Sequence, residues 1–173
     1  ASSAASDVYK RQIGNHDTYF KNTNDVNALQ NLNISKGAKI YTRPIDVNFD
    51  GLDILFLPWI CDDNHSDSIY AIDNSTSVIA MGHLEIKGFE MHKGHFNEQG
   101  LEKSQFTKFE KVISGHFHKK SDDGRIYYLG TQYEITWSDY KCPKGFLIFD
   151  TITSVLVRVP NPCLLYTCVA ADD

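Results

Sequence analysis

Residues 112–120 read "VISGHFHKK", an apolar run that ends in two histidines with one phenylalanine between them. In an extended backbone residues i and i+2 point to the same side, so His116 and His118 can address one point in space. The pair fills a core poorly but would suit a metal centre, provided other segments supply partners. "IGNHD" sets Asn15 and His16 behind Ile13 and Gly14, and "VIAMGHLE" sets His83 behind Gly82. In all three segments an apolar run stops at a glycine followed by a metal-capable side chain. Glycine lets the backbone come close to a ligand at a strand end. A lone histidine is usually packed or solvated, whereas three such stops in one chain form a pattern. In open α/β sheets ligands sit outside the carboxyl ends of the strands, where these residues would gather.

The elements that must position them follow from periodicity. "SVIAMGH" is a short, continuously apolar run, the mark of a strand buried on both faces. Residues 25–33, "DVNALQNLN", carry Val26, Leu29 and Leu32 at helical spacing, with Asn24 or Asp25 as the cap. "IYTRPIDVNFDGLDILFLPW" reads as strand, Asp50-Gly51 turn and strand. "DDNHSDSIYAID" is a short helix, and "EQGLEKSQFTKFEK" an amphipathic helix with Leu101, Phe106 and Phe109 inward, leading into "VISGHFH". "SDDGRIYYLGT", "EITW", "GFLIFDT" and "SVLVRVP" are expected strands. Helix, strand, helix, strand and then a run of strands predict an α/β sandwich of mixed sheets.

The 173 residues are 42% hydrophobic and 23% charged, an ordinary globular composition of single-domain length. No stretch is long and apolar enough to cross a bilayer. The four cysteines show no Cys-x-x-Cys spacing, so neither a zinc knuckle nor a disulfide framework is indicated, and a reducing, intracellular setting is expected. A formal charge of −5 argues against gripping nucleic acid by a broad basic surface, but not against a site whose metal ions bring the positive charge. Lys87, Lys93, Lys119, Lys120 and Arg125 cluster around the histidines in sequence, and a solvated charged face accounts for most of them. Both ends look foreign to the fold. Residues 1–12 are read as a non-native leader and 163–173 as a non-native tail, of the kind translated adaptor sequence leaves; residues 13–162 carry the domain.

In their order, "GNHD", "MGH" and "GHFH" resemble the motifs of the calcineurin-like metallophosphoesterases. "GHLEIKGFEM", "YYLGTQYEITWSDYKCPKGFLIFDT" and "RVPNP" are most similar to the DNA-repair branch, the SbcD-type nuclease subunit and its phage counterpart in recombination. The resemblance covers about residues 13–162. It implies a metallophosphoesterase-type α/β fold, a β-sandwich flanked by helices and incomplete at the N-terminus. By that resemblance Asn15, His83 and His116 bind the second metal and His118 the first. His16 is not a ligand but the catalytic residue that stabilises the transition state or protonates the leaving oxygen. Two divalent ions roughly 3.5–4 Å apart clamp the attacking and leaving oxygens of an in-line displacement. Imidazole and oxygen donors suit manganese, iron or zinc and do not decide among them; the resemblance implies manganese, with iron or zinc as alternatives.

The implied function is a fragment of a two-metal DNA nuclease in repair or recombination, in a bacterial or phage-infected cytoplasm. Its partners would be DNA and an SbcC-type ATPase, with a homodimer of the full-length protein and no membrane. The family's opening motifs, Asp-x-His and Gly-Asp-x-x-Asp, are not spelled before GNHD, so the fragment alone is expected to be inactive. The alternatives are a phosphoesterase acting on nucleotides or phosphoproteins, and a non-catalytic metal-binding or partner-docking module. Residues 125–150 favour the nuclease branch, and an intact His16 counts against lost chemistry. Blander readings hold elsewhere. Asp17 is expected to bond backbone in its loop, His92 and His95 to lie on the surface, and Tyr133 and Trp137 to pack in the core or rim. Asp63-Asn64-His65 spells Asp-x-His in the wrong order, after GNHD, and is read as a helix cap.

Overall fold

Ile54, Leu55, Phe56 and Leu57 are apolar without alternation, which suits a strand covered on both faces. The computed structural model describes residues 9–31, 38–49, 51–92 and 94–162. Its strands in chain order are β1 (Tyr9–Gln12), β2 (Ala38–Tyr41), β3 (Ile45–Phe49), β4 (Leu52–Leu57), β5 (Ile79–Gly82) and β6 (Glu90–His92). They continue as β7 (His95–Phe96), β8 (Lys111–Ser114), β9 (Ser121–Asp122), β10 (Ile126–Tyr128), β11 (Gly145–Phe149) and β12 (Leu156–Pro160). The helices are α1 (Ala28–Asn31) and α2 (His65–Asn74).

The central sheet has six strands in the order β3-β4-β5-β8-β10-β9. Its inner four are parallel, and β3 and β9 add antiparallel edges. Three two-stranded sheets accompany it: β1-β2 parallel, β6-β7 and β11-β12 antiparallel. The period of two sorts the core. Leu55, Leu57, Ala80, Val112, Ile126 and Tyr128 pack with Ile72, Phe106 and Phe109, while Ile54, Phe56 and Ile79 join Tyr41 and Val47 in a second cluster. The register then decides where the functional loops begin. Leu57 pairs with Gly82, Gly82 with Ser114, and Ser114 with Tyr128, so the four parallel strands end in one row.

The expected mixed α/β character is present, with few helices and several sheets. The β3–β4 hairpin, α2 and β5 stand where the periodicity put them. Other segments differ. The helix at 25–33 is a four-residue turn, capped by Asn27, whose Oδ1 accepts the Gln30 N–H at 2.9 Å; residues 32 and 33 lie outside the described residues. Asn24, one of the two expected caps beside Asp25, is buried and donates to the carbonyls of Trp59 (2.8 Å) and Thr42 (3.4 Å). The amphipathic helix expected at 98–111 is one 3-10 turn, Lys103–Phe106. Gly100 in the left-handed region and the bridge of Leu101 to Ile86 spend that backbone on pairing with a neighbour, although Phe106 and Phe109 are buried as expected. "EITW" is not a strand, because Thr136 enters a 3-10 turn, Trp137–Asp139. Residues 9–12, set aside with the leader, form β1, and Gln12 Nε2 donates to the Met81 carbonyl at 2.6 Å. The tail at 163–173 lies outside the described residues. No helix among the described residues is long and apolar enough to cross a membrane.

Candidate metal centre

β5 and β8 lie side by side, and each delivers a glycine and then a histidine at the same edge. The Gly115 N–H donates to the Gly82 carbonyl at 3.0 Å, and the His83 N–H to the Leu57 carbonyl at 3.1 Å. Behind them Ser114 Oγ accepts the Leu84 N–H at 3.0 Å and donates to the Gly115 carbonyl at 3.0 Å. Tyr128 Oη accepts the Ile86 N–H and donates to the Leu84 carbonyl, both at 3.0 Å. These buried bonds fix the turn that carries His83. The Asn15 loop arrives from β1: the Trp59 N–H donates to the Ile13 carbonyl at 2.7 Å, and Asp17 Oδ2 accepts the Gly14 N–H at 2.9 Å. Asp17 therefore bonds backbone in its own loop.

Three donor atoms converge. His83 Nε2 lies 2.8 Å from Asn15 Oδ1 and 3.3 Å from His116 Nδ1. The glycines make room for them. A Cβ at Gly14 would stand 2.9 Å from His83 Cε1, and one at Gly115 would stand 3.2 Å from His83 Nδ1. Trp59 closes another side, its ring 5.2 Å from His116 and 6.2 Å from His83. Burial lowers the His83 pKa to about 3, helped by the charges of His116 and His16. Burial likewise lowers that of His116 to about 4, with His16 and His118 adding to it. Both rings are neutral at neutral pH and keep a lone pair.

The pleat is not what orients the histidine pair. β8 ends at Ser114, and His116 has φ +82°, a left-handed conformation rare outside glycine and frequent at functional sites. Phe117 supplies the anchor instead, buried and stacked on Tyr128 with ring centroids 4.4 Å apart. With Phe117 held in the core, His116 and His118 both line a pocket shared with Asn15, His16, Met91, Thr136 and Ser138. His83 adjoins it through Asn15 and His116. His16 is exposed at this pocket. His118 stands apart from the Asn15–His83–His116 set, with its Nδ1 3.3 Å from Asp139 Oδ2.

The donor atoms fit one cation. Ligands about 2.0–2.1 Å from a metal and at right angles to each other stand about 3 Å apart, between the two observed separations of 2.8 and 3.3 Å. The set is two imidazoles and an amide with no carboxylate. Among the described residues no group of three or more His, Cys, Asp or Glu side chains is placed to hold an ion.

Asp139, Lys144 and Trp59 belong to this region and were not singled out from sequence. Thr136-Trp137-Ser138-Asp139 does spell a capping box, which would have marked Asp139 as a turn anchor. Nothing in "CPKGF" marks Lys144 as buried. The remaining sequence candidates lie elsewhere. Asp63 pairs with Arg43 at 2.7 Å and Asn64 Oδ1 accepts the Cys61 N–H, so Asp63-Asn64-His65 is the start of α2. His95 is exposed on the β6–β7 hairpin, and the side chain of His92 and residue Lys93 are outside the described residues. Lys87, Lys119 and Lys120 are paired with Glu102, Glu90 and Asp122. Tyr133 and Trp137 are 60% and 79% exposed, not core. Cys61 and Cys142 are free thiols.

No family model matches the chain. It is 36% identical over 151 residues to "Exonuclease subunit 1" of Enterobacteria phage T4, a match that covers 86% of this chain and 44% of that protein. The chain thus spans less than half the length of the curated relative it matches. On that identity, and on the ordered motifs of its three strand-end loops, the chain is related to the SbcD-type phage nuclease subunits.

Proposed function

We propose that this chain carries part of the active site of a divalent-metal-dependent phosphodiesterase that hydrolyses DNA, with a metallophosphoesterase-type fold. The observation that carries the reading is the meeting of Asn15 Oδ1, His83 Nε2 and His116 Nδ1 at one strand edge, beside a pocket shared with His16 and His118. The name of the phage relative, an exonuclease subunit, supports DNA as substrate and a second subunit as partner. An SbcC-type ATPase is the proposed partner, and the bacterial or phage-infected cytoplasm the proposed setting.

Each residue has a task under this reading. Asn15, His83 and His116 would hold one ion, manganese by preference with iron or zinc as alternatives, and His118 would contribute to a second. Such ions, when bound, neutralise phosphate charge and activate water. His16 is exposed at the pocket, where it would hold a proton for the leaving oxygen. The neutrality of His83 and His116 keeps their lone pairs available. Trp59 covers the His116 ring on one side and limits its movement.

The test uses a full-length relative that carries these residues. His16→Ala should leave bound manganese nearly unchanged while turnover on linear duplex falls ~10²–10⁴-fold, the usual cost of losing a general acid. His116→Ala should lose metal and turnover together. Equal metal loss in both variants would show that His16 is a ligand and not the proton donor.

A further inference from the structure

The proposed chemistry leaves unused a buried ion pair directly behind His118. Lys144 is 1% exposed and Asp139 2%. The Lys144 ammonium has three acceptors: Asp139 Oδ1 at 2.9 Å, Thr131 Oγ1 at 2.7 Å and the His118 carbonyl at 3.1 Å. Asp139 Oδ2 accepts the N–H groups of Ile135 and Thr136, both at 3.0 Å, and the Thr136 hydroxyl at 3.2 Å. It also faces His118 Nδ1 at 3.3 Å. A buried pair is a weak source of stability, since desolvation opposes the Coulomb gain. This pair does something more specific. One ammonium holds both the backbone of His118 and the carboxylate that faces its ring.

We propose that Asp139, clamped by Lys144, is a positioning residue for His118: it keeps the ring proton on Nδ1 and leaves Nε2 with the lone pair. A carboxylate aimed at one imidazole nitrogen favours the proton there and fixes the ring plane, as outer partners of ligating histidines do. Unrestrained neutral histidine prefers the opposite tautomer, so the arrangement has a signature. Service of that lone pair to a cation rests on the reading under Proposed function; the tautomer does not.

The experiment is a long-range proton–nitrogen correlation spectrum of the ¹⁵N-labelled chain, at a mildly alkaline pH where imidazoles are neutral. His118 should show the pattern of a proton on Nδ1. Asp139→Asn, which keeps an acceptor oxygen but removes the charge, should return His118 toward the Nε2–H form. Amide signals far from residues 116–144 should stay in place. Zinc added to both forms should perturb the His118 signals at ~10–100-fold higher concentration in the variant. A proton on Nε2 in the unaltered chain overturns the proposal, and so does an unchanged tautomer in Asp139→Asn. If the variant does not fold, the unaltered chain's own tautomer still decides. A proton on Nδ1 with no response to zinc supports the positioning role and removes the metal reading.

Discussion

His83 sits in a slot formed by two glycines and a tryptophan, and its charge state follows from that confinement. Its folded pKa, about 3, lies below the ordinary value of 6.5 because burial disfavours the cation. Below the ordinary value the unfolded chain takes up a proton that the folded chain refuses. Stability is therefore full above about pH 6.5 and falls as pH drops toward the folded value, at about 1 kcal/mol per pH unit for a single such ring. His116 acts in the same direction, with less weight because it is more exposed. Thermal unfolding of the metal-free chain from pH 7 to pH 5 should show the midpoint falling, and His83→Gln should make the fall shallower, with the His116 part remaining. A flat profile in the unaltered chain would mean that the ring is solvated. Gly14→Ala probes the slot itself, since the added methyl meets the edge of the His83 ring. It should cost about 1–3 kcal/mol by overpacking and bring the His83 pKa, followed by NMR, back toward 6.5 as the ring is pushed out.

Elements show how far the sequence could be read. Strand-end loops were legible because they depend on local signals: a short apolar run, a glycine, a polar side chain. The β3–β4 hairpin and β5 were legible for the same reason. What local signals could not give was tertiary demand on backbone. Gly100 passes so close to the Glu85 carbonyl that no helix forms through it, and that contact is non-local. The difference can be measured. Gly100 and Gly124 both have left-handed φ values, +87° and +90°, but a Cβ at Gly124 meets nothing within 4 Å. Gly124→Ala should cost only the left-handed strain, about 1–2 kcal/mol, whereas Gly100→Ala adds a clash with backbone that cannot turn aside. Urea midpoints should rank the unaltered chain first, Gly124→Ala second and Gly100→Ala last by a wide margin. The 131–144 segment illustrates the same limit. Asp139 pins its turn from within and leaves Trp137 outside, beside the pocket wall formed by Thr136 and Ser138. Under the proposed function an exposed aromatic beside this pocket would offer stacking worth ~1–3 kcal/mol per base. In a full-length relative Trp137→Ala should weaken binding of single-stranded ends about 5- to 150-fold at unchanged metal content. Unchanged affinity would return Trp137 to ordinary surface packing.

At the scale of the whole molecule, the site's charge balance decides what this chain can do alone. Asn15, His83 and His116 are neutral donors, and three of them do not offset the charge of a divalent ion. His118 faces Asp139, but Lys144 already neutralises that carboxylate. The fold also presents apolar surface: Phe146, Ile148 and Val157 on the β11–β12 hairpin are each about half exposed, and such patches favour association. The chain should therefore bind manganese weakly, self-associate as its concentration rises, and leave linear duplex DNA uncut. Calorimetric titration with manganese, light scattering and a duplex assay on the same preparation test all three. Any weak binding should vanish with His83→Ala and persist with His118→Ala, because only the first belongs to the convergent donor set. Manganese-dependent cleavage lost on His118→Ala would reverse the conclusion. It would mean that the histidines and amide of these loops suffice for turnover without a carboxylate ligand.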